Sequence, residues 1–243
     1  MRIPRIYQFK KLSVTDSIVL HEKKIVHYIK NVLKKKKNDY IKLFNNKNII
    51  FLATIQFISK ELIALKIINC TSENNESNLY LHLGQIISKN KNMDMIIQKS
   101  VELGVSKITP IFNKLLKNIL NKDYIYKKMK HWKEIIISSC QQCERNIVPE
   151  IDEPQCLKKW IKEDKKEKKF FFEKSGKYSI NNLDQNINKV RILIGSEYGF
   201  SKKDKMYLLK NGFSSLSLGS RTLRMETAAI SAISCLQLKF GDF

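Results

Sequence analysis

The polar stretch Asn69–Asn78 (NCTSENNESN) divides the chain into two halves whose hydrophobic patterns call for different folds. Ten polar residues without periodicity read as a linker or a long exposed loop. Before it lie short β-branched runs at Arg2–Phe9, Ser17–Leu20, Asp39–Phe44, Ile49–Ile58 and Glu61–Ile68. Each predicts a strand. Between them Ile25, Ile29, Val32 and Leu33 share one face of a helix over residues 23–34. That half predicts a small mixed barrel or sheet.

After the linker, strands alternate with helices, the signature of an α/β domain with a parallel sheet. Strands are predicted at Leu79–Ile87, Ser106–Phe112, Lys169–Glu173, Val190–Ile194 and Ser215–Leu218. Helices are predicted at Met93–Leu103, closed by Gly104, and at Tyr124–Cys143, Pro154–Glu163, Ser201–Lys210 and Met225–Phe240. Ser201 and Asp204 stand at capping-box spacing. The chain therefore reads as two domains, residues 1–70 and 75–243.

No apolar run approaches the roughly 18 residues of a membrane span. Arg2, Pro4 and Arg5 occupy the place of a signal peptide's apolar block, so a soluble cytoplasmic protein is expected. Five scattered cysteines suit reduced thiols. Cys140 and Cys143 have no second Cys/His pair at zinc spacing, so no metal is expected.

The net charge of +22 fits a nucleic-acid partner. Lys, Ile and Asn make up 92 of 243 residues, however, the skew of an A/T-rich coding sequence, so a merely solvated basic surface fits as well. Against 39 Lys there are only six Arg, which makes each Arg a marker for a position needing a planar, bidentate cation. Five of them, Arg2, Arg5, Arg145, Arg221 and Arg224, fall in segments that stand out for other reasons. Five of the eight Gly lie in the last 49 residues.

Two segments there carry the chemistry. In Ile192-Leu-Ile-Gly-Ser-Glu-Tyr-Gly-Phe-Ser201 an apolar strand runs into Gly195, Glu197 and Gly199 and then a helix start. In Leu218-Gly-Ser-Arg-Thr-Leu-Arg-Met-Glu-Thr-Ala228 the same order recurs. Ligands of α/β sheets bind beyond the carboxyl ends of strands, where glycines let the backbone approach. The two loops can wall one pocket or be plain strand-to-helix turns. Neither matches the dinucleotide or P-loop pattern.

These loops join other segments in one joint match. They are the opening Met1-Arg-Ile-Pro-Arg-Ile-Tyr7, His82-Leu-Gly-Gln85, Ile97–Val105 with Ile108-Thr-Pro110, and Cys140-Gln-Gln-Cys143 with Arg145 and Val148-Pro-Glu150. On these residues the chain resembles, end to end, the bacterial family of knotted SPOUT methyltransferases that methylates ring nitrogen N3 of a uridine in 16S ribosomal RNA. The resemblance implies an N-terminal PUA-like β-barrel that holds RNA, and a C-terminal α/β domain with a deep trefoil knot. It also implies a homodimer acting on 16S RNA, within the small subunit, with S-adenosylmethionine as methyl donor and no metal. Carried over, Ile194, Gly195, Glu197, Leu218, Gly219, Leu223, Arg224, Glu226 and Thr227 contact S-adenosylmethionine. Arg145, Glu197 and Arg224 are catalytic, and Arg2, Arg5 and Lys34 bind RNA.

The departures are local. The family's Gly-Pro-Glu-Gly-Gly has Ser196 and Tyr198 in place of Pro and the first of the closing Gly pair. A side chain at 198 resists a positive φ, so this residue is either extended or shifts the loop. Ser220 replaces a Pro, and the family's Arg-x-Leu-Arg reads Asn31-Val-Leu-Lys34. The alternatives are ribose 2′-O methylation by a related enzyme, or an RNA-binding relative without catalysis.

Overall fold

The computed structural model describes residues 3–88, 90–112, 121–163, 167–184 and 186–243. The chain divides into two compact units. One comprises Met1–Glu76 with Cys140–Val148, the other Ser77–Ser139 with Pro149–Phe243.

The first unit contains strands β1 (Arg5–Tyr7), β2 (Ser17–Leu20), β3 (Tyr40–Phe44), β4 (Ile49–Ile58) and β5 (Ile63–Ser72) in the order β1-β3-β4-β5-β2. The β1–β3 pair is parallel, and the others are antiparallel. Among the described residues the two edge strands do not pair, so the expected barrel is a half-barrel. Register shifts at Leu52/Ala53 and Ile55/Phe57 interrupt the β4–β5 ladder, the kind of bulge that bends a strand. Inward residues Ile41, Leu43, Ile55, Ile63 and Leu65 form the core with Val26 and Ile29.

Those last two residues correct the predicted helix. Its α-helical part, α1, covers only Lys23–His27, and Tyr28–Val32 continues as a π-turn in which Leu33 N–H reaches the Tyr28 carbonyl (2.9 Å). The wider turn rotates the buried face onto Val26 and Ile29 and leaves Val32 exposed. The expected linker is also shorter, because β5 runs on to Ser72 and pairs there with Ile49.

Cys140–Val148, distant in sequence, is tied into this unit by side chains. The Arg5 guanidinium donates to the Arg145 carbonyl (3.1 Å) and to Asn146 Oδ1 (2.5 Å), and lies over the Phe44 ring. Asn146 donates to the Glu73 carbonyl (2.7 Å), and Val148 N–H to Asn46 Oδ1 (2.6 Å).

The second unit carries a wholly parallel sheet in the order β11-β13-β10-β12-β6-β7-β8, with β9 also on β7. In chain order its elements are β6 (Tyr80–Ile86), α2 (Asn90–Glu102), β7 (Lys107–Phe112), α3 (Lys122–Cys143, of which the residues from Cys140 belong to the first unit), β8 (Glu150–Ile151), β9 (Gln155–Cys156), α4 (Leu157–Lys162) and β10 (Lys168–Phe172). The chain continues through β11 (Tyr178–Ser179), β12 (Lys189–Ile194), α5 (Lys202–Lys210), β13 (Ser214–Ser217) and α6 (Met225–Phe240). The helix predicted from Pro154 begins later, at Leu157, because Gln155–Cys156 pairs with Ile111–Phe112 as strand.

The His82-Leu-Gly-Gln85 motif is interior to this unit. Gly84 faces the Trp160 ring so closely that a Cβ there would stand 2.4 Å from Cζ2. His82 meets the same indole edge to face and shares a 2.7 Å hydrogen bond with the Thr109 hydroxyl, which in turn donates to Asp152 (2.7 Å). Arg191, the Arg outside the segments singled out in the sequence, is wholly buried. Its guanidinium lies 3.9 Å from the Trp160 ring centroid and donates to the Trp160 (2.6 Å) and Glu163 (3.0 Å) carbonyls at the end of α4. Burial lowers its pKa, while Glu163, at 3.2 Å, offsets part of the shift. At the far end of the unit, buried Gln237 of α6 donates to the Leu103 carbonyl (2.9 Å) and accepts from Ser77 (2.7 Å).

Gly84→Ala, which must displace Trp160, is expected to lower stability by about 1–3 kcal/mol in urea unfolding. Burial pushes the Cys140 thiol up to about 12, partly opposed by Arg145. It therefore stays protonated at neutral pH, and the stability linked to that proton is lost only as pH rises from about 9 toward 12. Native labelling near neutral pH modifies exposed Cys70 and Cys156 first, and Cys140 only on unfolding.

Candidate functional site

The carboxyl ends of β13, β10 and β12 are neighbours in the sheet, and the loops leaving them wall a cleft of about 720 Å³. The volume lies in the ordinary range for a small-molecule site.

The first wall comes after β12. Ile194 and Gly195 are buried, and the chain then makes a tight turn closed by Gly199 N–H on the Ser196 carbonyl (2.8 Å). Ser196 Oγ also accepts from Tyr198 N–H (3.3 Å). Gly199 takes the positive φ (+69°), whereas Tyr198 has none, so the side chain at 198 carries no left-handed strain. Tyr198 is thus a turn residue and not the extended one expected. Phe200 then packs edge to face on Phe171 (5.6 Å), and Ser201 caps α5 by accepting from Asp204 N–H (3.1 Å). Capping fixes where the loop ends.

The second wall comes after β13. Ser217 Oγ accepts from Gly219 N–H (3.2 Å) and donates to the Lys174 carbonyl (3.1 Å), which ties this loop to the one after β10. Arg224 is the N-terminal boundary residue of α6 and makes no side-chain cap; its carbonyl accepts from Ala228 N–H (2.8 Å). The start of a 16-residue helix thus opens on the cleft with first-turn N–H groups and the positive end of its dipole.

Of the nine residues carried over as cofactor contacts, Thr227 does not line the cleft; the other eight do. Glu197 and Arg224 are brought together there, both exposed. Arg145 lies in the first unit, ion-paired with Glu76: its Nε donates to Oε1 (3.1 Å) and a second guanidinium N–H to Oε2. Arg5 is 4% exposed and holds Arg145 and Asn146, so in this fold it presents no free face to a phosphate. Lys34 is exposed, with φ +50°. Arg2 lies outside the described residues. A third wall, Glu173–Ser175 after β10, is not among the sequence expectations, nor is the Glu173–Lys205 ion pair, both members of which line the cleft. The apolar strand Phe170–Phe172 running into Glu-Lys-Ser-Gly is the same signal as the other two loops.

Two family models match the chain: an RNA methyltransferase domain over residues 75–237 and an RNA methyltransferase PUA domain over residues 22–68. The ribosomal RNA small subunit methyltransferase E of Buchnera aphidicola from Schizaphis graminum is 47% identical over 99% of this chain and 98% of its own. The chain belongs to the ribosomal RNA small subunit methyltransferase E family. Two solved structures are similar over the full length of both chains. The family member from Neisseria gonorrhoeae bound to S-adenosyl methionine is 30% identical, with a TM-score of 0.91. A methyltransferase of Legionella pneumophila in complex with the cofactor SAM is 35% identical, with a TM-score of 0.95.

Within this family member, Arg145→Ala leaves Glu76 without its bidentate partner in a mostly buried place. Unfolding free energy falls by about 3–5 kcal/mol, read by denaturant titration of the full chain.

Proposed function

We propose that this protein methylates ring nitrogen N3 of a uridine in 16S ribosomal RNA of the small subunit, with S-adenosylmethionine as donor. The observation that carries the reading is the convergence of eight of the nine expected cofactor residues on one cleft at the carboxyl edge of a parallel sheet. Family membership and the donor-bound relatives support it.

The cleft residues suit the donor. Gly219 leaves backbone accessible, the uncapped start of α6 suits a carboxylate, and Glu197 and Glu226 offer acceptors for amine and hydroxyl groups. When bound, S-adenosylmethionine supplies a methyl group on a sulfonium, open to in-line displacement. The chain's own residues then hold the nucleophile in line and stabilise the charge that appears as N3 loses its proton. Arg224 and Arg221, both on the cleft wall and exposed, are the cations for that anion through charge-assisted hydrogen bonds. Uracil N3 is normally base-paired, so the target must be unpaired or extruded.

The first unit, with its half-barrel, serves to hold RNA, and Lys34 is the exposed cation assigned to it. The resemblance supports a deep trefoil knot in the C-terminal part of the second unit. Two copies pair to complete the site, and the assembled small subunit is the substrate. Arg145 and Arg5 contribute through the segment they brace.

Arg224→Ala and Glu197→Ala keep the wild-type melting curve, because both side chains are exposed on loops, and lower kcat by about 10²-fold or more. Full activity in either variant removes that residue from the site. Small subunits lacking the methyl group, incubated with protein and donor, gain mass on the uracil fragment of the digested nucleoside. A methyl on the sugar overturns the reading for 2′-O transfer, and no methyl overturns it for a binding protein.

A further inference from the structure

Tyr198 is 90% exposed at the rim of the cleft, and among the described residues no other ring stacks on it. A large aromatic in that position has no part in the core. Its backbone is nevertheless fixed: Ser196 binds Tyr198 N–H, Gly199 N–H closes the turn, and Gly199 absorbs the positive φ. The ring is carried on a rigid turn. Around the same cleft Lys174, Arg221 and Arg224 are exposed, and none makes an ion pair among the described residues. An exposed ring among free cations is the composition that grips single-stranded RNA, with bases on the ring and phosphates on the cations.

We propose that Tyr198 is a positioning residue that stacks a base flanking the target nucleotide. The proposal rests on the reading of the protein as an RNA base methyltransferase. Freeing N3 takes the target out of its helix and leaves its neighbour without a stacking partner, and a ring at the rim replaces that partner. Tyr198 lines the cleft yet is 90% exposed, which suits a neighbouring base better than the enclosed one that reacts. Stacking needs the π-face and not the hydroxyl, which fixes the pattern of variants.

Steady-state kinetics on unmethylated small subunits, donor titration calorimetry and sedimentation are run on wild type, Tyr198→Ala, Tyr198→Phe and Tyr198→Trp. Tyr198→Ala is expected to raise KM for RNA about tenfold. kcat stays within about twofold, and donor affinity and oligomeric state do not change. The Phe and Trp variants retain the wild-type KM. Trp132 and Trp160 are buried and shielded from contact with RNA, so the extra quenching by RNA in Tyr198→Trp, measured against wild type as background, reports the added indole. An unchanged KM in Tyr198→Ala overturns the proposal. So does a parallel loss of donor affinity, which would make the ring part of the donor site, or a changed oligomeric state, which would make it a subunit contact. Failure of wild type to methylate a base is a different result, seen without any variant. The quenching then still decides whether the ring meets RNA.

Discussion

The Trp160 indole is the contact on which the second unit is built. Gly84 of β6 lies against one part of it, His82 meets its edge, and Arg191 of β12 lies on its face while holding the end of α4. A buried guanidinium is tolerable only if carbonyls and a carboxylate replace its water, and Trp160, Glu163 and the ring supply them. Because β6 and β12 pair side by side, this packing sets the height of β12. Ile194 and Gly195 leave the sheet at a level fixed from within.

The cleft is an extension of that order. Three neighbouring strands end together, and short-range hydrogen bonds, not a large apolar contact, shape the loops that leave them. Ser217 links two walls, Ser196 and Gly199 close the first turn, and Ser201 defines where α5 begins. Serine at 196 does by hydrogen bonding what a proline does by ring closure: it restricts the turn. The loop lines the cleft without the Pro and paired Gly that the resemblance leads one to expect.

Periodicity located most of the elements, and Ile49–Ile58 and Met225–Phe240 match the observed strand and helix end to end. What it missed has local physical causes. The π-turn at Tyr28–Val32 breaks the 3.6-residue repeat, and strands of two residues such as Glu150–Ile151 are too short to show one. The walls of the cleft were legible because glycine after an apolar strand is a local signal. The burial of Arg5 was not, because its partners stand about 140 positions away and the residue type alone cannot tell a phosphate from a carbonyl. Arg191 shows the converse, an Arg in a plain strand pattern whose planar fork is used wholly inside.

The same separation bears on how the protein is made. Arg5 and Phe44 leave the ribosome early, but the carbonyl and amide that Arg5 holds belong to residues 145 and 146. The half-barrel strands can pair as soon as β5 is synthesised, since their contacts are local. The last stitch must wait until α3 has emerged. Closing a loop of that length adds only slowly to the entropic cost, which grows with the logarithm of its length, but it delays completion of the first unit. The amino-terminal unit therefore begins folding first and finishes only with help from the middle of the chain.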